Sequence, residues 1–261
     1  MIELAQLPKR IGGAVDKILC ETFDARACAL PAGKYVSLCF DDFPQSSAHT
    51  AAPMIEQQGW RATWYVAGQF MGQTTPEFGK MFEASDLQML RENGHDFGFH
   101  THDHIDCRTA DAAEIDAQMR MSEAFFKEHD IIARSFAYPF GAVSPSAKRQ
   151  LAGANIGLRS IQAGINTDTI DLHMLKACGL QDDKGGTQRA LRALESLSVK
   201  DGWLIIFTHD VRSSPSPWGV TPDDYAHLLD AVAASGAEIV TVGDMISRLD
   251  TPMSEPRRNA A

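Results

Sequence analysis

From residue 35 onward the chain alternates short runs rich in β-branched and aromatic residues with amphipathic stretches, and this constrains its fold most strongly. The runs are YVSLCF (35–40), ATWYV (62–66), DFGF (96–99), SFAY (135–138), IGLRS (156–160), MLKACG (174–179), WLIIFT (203–208) and EIVTV (238–242). Helix-period stretches lie between them: DLQMLRENG (86–94), AAEIDAQMRMSEAFFKEH (112–129) and PDDYAHLLDAVAASG (222–236). In the last, Pro222 suits a first helical turn, Asp223 and Asp224 suit its positive end, and Gly236 suits a stop. A helical crossover returns each strand in the same direction, so the expected sheet is parallel. The fold class expected is α/β: a single distorted (β/α) barrel, TIM-like, of seven or eight strands over residues 35–250. An N-terminal helical extension is expected over 1–34 and a disordered tail over 251–261. A doubly wound open sheet is the runner-up, because alternation alone does not show closure.

The net charge of −10 argues against nucleic acid or an anionic membrane surface as the main partner, since both need a basic footprint. A neutral or cationic substrate fits it better. The N-terminus lacks the basic start, apolar core and small-residue cleavage site of a secretory signal, and no apolar run is long enough to span a membrane. The five cysteines (Cys20, Cys28, Cys39, Cys107, Cys178) are odd in number and irregularly spaced. They read as reduced thiols of a cytoplasmic protein, not as a zinc ribbon.

Four chemically loaded clusters fall at the C-terminal ends of expected strands. Asp41 and Asp42 follow the first, His100 to His104 the third, Tyr138-Pro139-Phe140-Gly141 the fourth, and Thr208-His209-Asp210 the seventh. In a parallel barrel those ends open on one face, where active sites form.

Taken alone, Asp41 and Asp42 read more readily as a capped turn with both acids solvated, and adjacent strand residues point in opposite directions. In GFHTHDH, His100 and His104 are four apart, so a helical turn would converge them; an extended segment would instead align His100, His102 and His104. Two imidazoles and one carboxylate form a familiar zinc or iron ligand set that leaves positions open. His209, delivered by the apolar strand LIIFT, suits a general acid or base. His49, His95, His129, His173 and His227 have no comparable setting and read as packing or surface residues.

At these residues the chain resembles the polysaccharide deacetylase family, carbohydrate esterase family 4. FDDFP stands where that family has T-F-D-D-G, and ATWYV resembles its A-T-F-F-V strand. GHDFGFHTHDH is similar to G-H-E-I-G-x-H-[ST]-x-x-H, FAYPFG to the F-x-x-P-[YF]-G turn, and IIFTHD to the closing L-x-H motif. The matches run in family order over about residues 35–245. The resemblance implies a divalent metal, most often zinc, held by Asp42, His100 and His104. It also implies Asp41 as general base, His209 as general acid, and the Phe140 backbone N–H as an oxyanion donor. His102 falls at a variable position of the motif.

Three departures stand out. Phe43 replaces the usual glycine of the first motif and is expected to narrow the cleft. The turn arginine of the family is replaced by Ala137, with Arg159 as a candidate substitute. No D-x-x-D-W segment is present. The FAYPFG turn and the SPSPWGVTPDDY stretch (214–225) resemble the subgroup near bacterial exopolysaccharide gene products. Tyr138, Phe43 and Trp218 are the candidate substrate contacts. The function implied is metal-dependent N-deacetylation of an N-acetylated amino sugar in an oligosaccharide or lipid-linked precursor. The alternatives are hydrolysis of a non-sugar, cyclic amide and a non-catalytic glycan-binding barrel.

Overall fold

The computed structural model describes Cys20 and residues 25–154, 156–181 and 185–250. Most of the expected N-terminal helix and the whole expected tail fall outside these residues. The described part of the first segment carries a strand, β1 (Ala27–Ala29), paired antiparallel with Thr169–Asp171.

All eight expected strands are present. In chain order the elements run β2 (Lys34–Asp41), α1 (Gln45–Gln57), β3 (Thr63–Val66), β4 (Thr74–Thr75), β5 (Gly79–Lys80), α2 (Ala84–Glu92), β6 (Asp96–Phe99) and α3 (Ala112–Glu128). They continue as β7 (Ala133–Ala137), α4 (Pro145–Ala152), β8 (Gly157–Arg159), β9 (Thr169–Asp171), β10 (Cys178–Gly179), α5 (Gly186–Val199), β11 (Gly202–Thr208), α6 (Pro222–Ala234), β12 (Glu238–Ile239) and α7 (Val242–Asp250). The main sheet has the order β10-β11-β2-β3-β6-β7-β8, every pair parallel. Its two ends meet through a single parallel bridge between Arg159 and Leu175, three residues before β10. The expected strand 174–179 is therefore split between two neighbours, and the barrel is closed but distorted. Strand β12 pairs with the first half of β2, at Tyr35 and Val36, while β3 takes the second half.

The two-residue alternation of strands sorts side chains into two apolar clusters. Val36, Leu38 and Phe40 of β2 and Leu204 and Ile206 of β11 belong to the cluster under the helices. Tyr35, Cys39, Tyr65, Ala137, Trp203, Ile205 and Phe207 belong to the barrel interior. One chain of buried polar atoms is paired inside: Trp203 Nε1 donates to Ser37 Oγ (2.8 Å), which donates to the Val240 carbonyl (2.7 Å). Helix α6 starts and stops on the expected signals. Thr221 caps its N-terminus by accepting from the Asp224 N–H, and Gly236 follows it at φ 68°.

Helix α7 closes the bottom of the barrel, tied there by Asp96. Its Oδ2 accepts from Thr63 Oγ1 (2.9 Å) and from the Gly243 N–H (3.0 Å) in the first turn of α7. A side chain at position 243 would stand 2.6 Å from Asp96 Oδ1, so the approach requires glycine there. Burial pushes the Asp96 carboxyl up from 3.8 to about 6. The folded protein thus holds a proton that the unfolded chain has already released, and stability falls as pH rises through that window. Asp96→Asn keeps an acceptor without the charge. It is expected to be more stable than the wild type by about 1–2 kcal/mol at pH 7.5, with the gap closing by pH 4. Urea denaturation at both pH values checks this; an Asn variant less stable at pH 7.5 contradicts it.

Candidate metal centre and cleft

The C-terminal ends of the strands surround a cleft of ≈ 500 Å³. The alternation that places Cys39 inside places Asp41 on the same row at the end of β2, and Trp203, Ile205 and Phe207 lead likewise to His209. Asp42 would point away by that rule. Instead it adopts a left-handed backbone (φ 45°), and both acids line the cleft. Of the six non-glycine residues at positive φ among the described residues, four surround this site: Asp42, Thr101, His104 and Phe140. Such conformations cost energy and persist where the surroundings enforce them.

The left-handed Asp42 also decides the fate of Phe43. It is fully buried, 4.7 Å from both the Trp64 and Phe82 rings, and lies in the core under the helices. The expectation that Phe43 narrows the cleft and touches substrate is therefore corrected: burial of the ring against two aromatics takes it to the opposite side of the sheet. Tyr138 is corrected in the same way. It borders the cleft, but its side chain is 1% exposed, belongs to the outer cluster, and donates its hydroxyl to the His173 carbonyl (3.3 Å). It has no ring face to offer a sugar.

Asp42, His100 and His104 bring one donor atom each within 4.8 Å of one another. His104 Nε2 lies 2.8 Å and His100 Nε2 3.8 Å from Asp42 Oδ2. The segment is neither of the two conformations open to the sequence: residues 100–106 form an irregular loop with Thr101 and His104 left-handed. Thr101 Oγ1 accepts from the Ile105 N–H (3.0 Å) and braces that loop. His102 turns away, its Nδ1 2.7 Å from Asp103 Oδ1 and its ring against Phe125. Glycine at position 68 is what admits it, since a side chain there would meet the His102 ring at 2.8 Å.

The donor set fits a divalent ion. His100 Nδ1 lies 2.7 Å from the Ala137 carbonyl, which only accepts, so the proton sits on Nδ1 and the Nε2 lone pair faces Asp42. Burial lowers His100 to about 4 and so keeps it neutral, the form a metal requires. Asp42 Oδ1 is buried without a hydrogen-bond partner. A buried oxygen without a partner beside two imidazole nitrogens suits a cation.

Arg159, from the other side of the barrel, reaches Asp41. Its Nη2 donates to both Asp41 oxygens at 2.6 Å. The guanidinium is fully buried between the rings of Phe207 (4.6 Å) and Tyr65 (5.0 Å). Burial would discharge it, yet Asp41 outweighs that and raises its pKa. The arginine beside Asp41 thus comes from β8.

His209 is half-buried among aromatics. The Phe78 ring lies parallel to it at 5.6 Å (3°), with Phe207 and Trp218 each 6.4 Å away. Its Nδ1 is buried without a partner. Phe140 holds φ 58° in the Pro139–Gly141 turn, and its ring, 66% exposed, packs on His104 at 4.4 Å. Trp218 also lines the cleft. Sequence reading missed the β4–β5 hairpin, whose Thr75, Glu77 and Phe78 also line the cleft, and missed Gln181. The signal was there in QTTPEFGK, a Pro-to-Gly turn between paired residues.

The sequence model of one family, Polysaccharide deacetylase, matches residues 30–159. A chitin deacetylase of Pestalotiopsis sp is 27% identical over 221 residues, covering 83% of this chain and 64% of the relative. The chain spans less than two-thirds of the length of the curated relatives it matches. Among solved structures, the Xyl-CE4 domain of a multidomain xylanase from the hindgut metagenome of Trinervitermes trinervoides is similar with a TM-score of 0.59 at 18% identity, over 83% of this chain and 91% of that one. The chitin deacetylase of the fungal pathogen Colletotrichum lindemuthianum is similar with a TM-score of 0.57 at 18% identity, over 84% and 89%. These likenesses carry the fold, a distorted (β/α) barrel.

Proposed function

Because the chain belongs to the polysaccharide deacetylase family, we propose that it hydrolyses the N-acetyl group of an amino sugar within a glycan, using a divalent metal at Asp42, His100 and His104. The observation that carries this reading is the joining of two separate constellations in one cleft. Two imidazoles with a carboxylate stand beside a second carboxylate that a buried arginine holds in place.

An acetamide is a poor electrophile and its amine a poor leaving group. A divalent ion such as Zn²⁺ supplies Lewis acidity at that site, polarising a carbonyl and making water easier to deprotonate. The remaining work falls to the chain. Asp41, fixed by Arg159, takes a proton from the attacking water. The Phe140 N–H, in its left-handed turn, stands at the cleft wall where an oxyanion would form. His209, on the opposite wall, returns a proton to the departing nitrogen. The lining contains no lysine, and the arginine beneath it is spent on Asp41, so a neutral or cationic glycan suits the cleft. A cytoplasmic location and a biosynthetic precursor of the exopolysaccharide type belong to the same reading, motivated by the free cysteines and the FAYPFG turn.

Acetate release from a panel of N-acetylglucosamine oligomers, with and without chelator, tests the function. Chelation is expected to abolish release and added Zn²⁺ to restore it; release only from cyclic amides would refute the sugar substrate. The ligand set is tested in parallel. His100→Ala and His104→Ala are each expected to weaken metal binding at least about a hundredfold, the upper end of what outer-sphere partners cost. His102→Ala is expected to retain full metal content. Equal loss in all three would break the assignment.

A further inference from the structure

The hairpin that carries Phe78 is too small to hold itself. Strands β4 and β5 pair over two residues each, and an isolated two-stranded ribbon is marginal in water even when longer. Its base is held by buried Met81, which bridges to Pro44, and its tip over the cleft is held by Arg212. Arg212 Nη1 donates to the Phe78 carbonyl (2.8 Å) and Nη2 to the Glu77 carbonyl (2.6 Å). Its Nε stands 2.8 Å from Asp210 Oδ2. Asp210 is itself fully buried and accepts from the Ser216 N–H (2.9 Å) and the Ser216 hydroxyl. A side chain at residue 219 would stand 2.2 Å from Asp210 Oδ1, so Gly219 is what lets the 209–220 loop close around this carboxylate. One connected network thus fixes the loop bearing His209 and Trp218 and the hairpin bearing Phe78.

Phe78 occupies a particular place in that arrangement. It lies flat along His209 and 5.9 Å from Trp218 on the cleft side. It also lines a second groove of ≈ 340 Å³ behind the hairpin, bordered by Gln45, His49, Lys80 and Arg212. With space on both sides, packing alone does not keep the ring where it stands.

Resting on the deacetylase reading above, we propose that Phe78 is a specificity-determining residue of the cleft and Arg212 the residue that positions it. Phe78 and Trp218 form an aromatic wall beside His209 that receives the apolar face of the sugar ring whose nitrogen departs. The wall acts on binding of the ring, before and during reaction alike, so its loss raises KM and leaves kcat nearly unchanged.

The probe is the N-acetylglucosamine tetramer, measured by acetate release and by equilibrium binding to the metal-free protein. Phe78→Ala is expected to raise both KM and the dissociation constant about tenfold, with kcat within about twofold, the scale of one aromatic stacking contact. Phe78→Tyr is expected to restore both. Arg212→Ala is expected to reproduce Phe78→Ala, and the double variant to be no worse than either, because Arg212 acts through Phe78. Unchanged KM in Phe78→Ala overturns the proposal, as do additive losses in the double variant or an Arg212→Ala defect confined to kcat. A wild type that binds the tetramer with these differences but releases no acetate refutes the hydrolytic reading and leaves the wall standing. A wild type that neither binds nor hydrolyses it overturns both.

Discussion

Asp41→Asn is expected to lower kcat for acetate release by about 10²–10⁴-fold while the protein still binds its metal. The size follows from the role, since an amide has no basicity with which to accept a proton from water. The specificity follows from geometry: Asp41 lies on the inward row of β2, and Asp42 is turned into the cleft only by its left-handed backbone. Removing the Asp41 charge therefore leaves the Asp42, His100 and His104 donors untouched. Metal content measured beside the rate separates loss of the base from loss of the ion. Acetate release within tenfold of wild type, with metal bound, would assign the base elsewhere.

The role of Asp41 as base came from the family resemblance; what strand position made legible was the convergence of these groups. Cys39, Phe207 and the residues that follow them alternate with a two-residue period, and that period alone brings Asp41 and His209 to one mouth. The metal trio was a harder reading. Spacing left a helical turn and an extended segment equally open at residues 100–104, and the observed loop is neither, because Thr101 and His104 both take positive φ. Asp42 and Phe43 show the same blindness. One left-handed residue brings an acid into the cleft and sends the next side chain into the core against Trp64 and Phe82, and no local pattern announces it. Tyr138 failed for a simpler reason, since its parity assigns it to the helix side. Arg159 lies 118 residues from its partner, so only closure of the sheet, through the single bridge to Leu175, gives the pairing a physical basis. The Phe78 hairpin was hidden because its two-residue strands have no period to detect.

Arg159→Met is expected to destabilise the protein by about 3–5 kcal/mol and to abolish most acetate release, although Arg159 is buried beneath the reacting groups. Its guanidinium is fully buried, and Nη2 is the donor that holds both Asp41 oxygens. Methionine fills much of the slot between Tyr65 and Phe207 but leaves the Asp41 carboxylate buried beside them without its counter-charge. Breaking one half of a buried ion pair is far more costly than removing both halves. The double variant Asp41→Asn with Arg159→Met is therefore expected to recover most of the lost stability in urea denaturation while remaining as inactive as Asp41→Asn alone. The coupling between the two sites, read from that cycle, should reach several kcal/mol in stability. It should also appear in rate, since once the base is absent its positioning residue has nothing left to position. Arg159 Nε and Nη1 have no hydrogen-bond partner, so Asp41 is the group that answers its charge by hydrogen bonding. If the double variant is no more stable than Arg159→Met, the arginine is serving the barrel's packing and not the carboxylate.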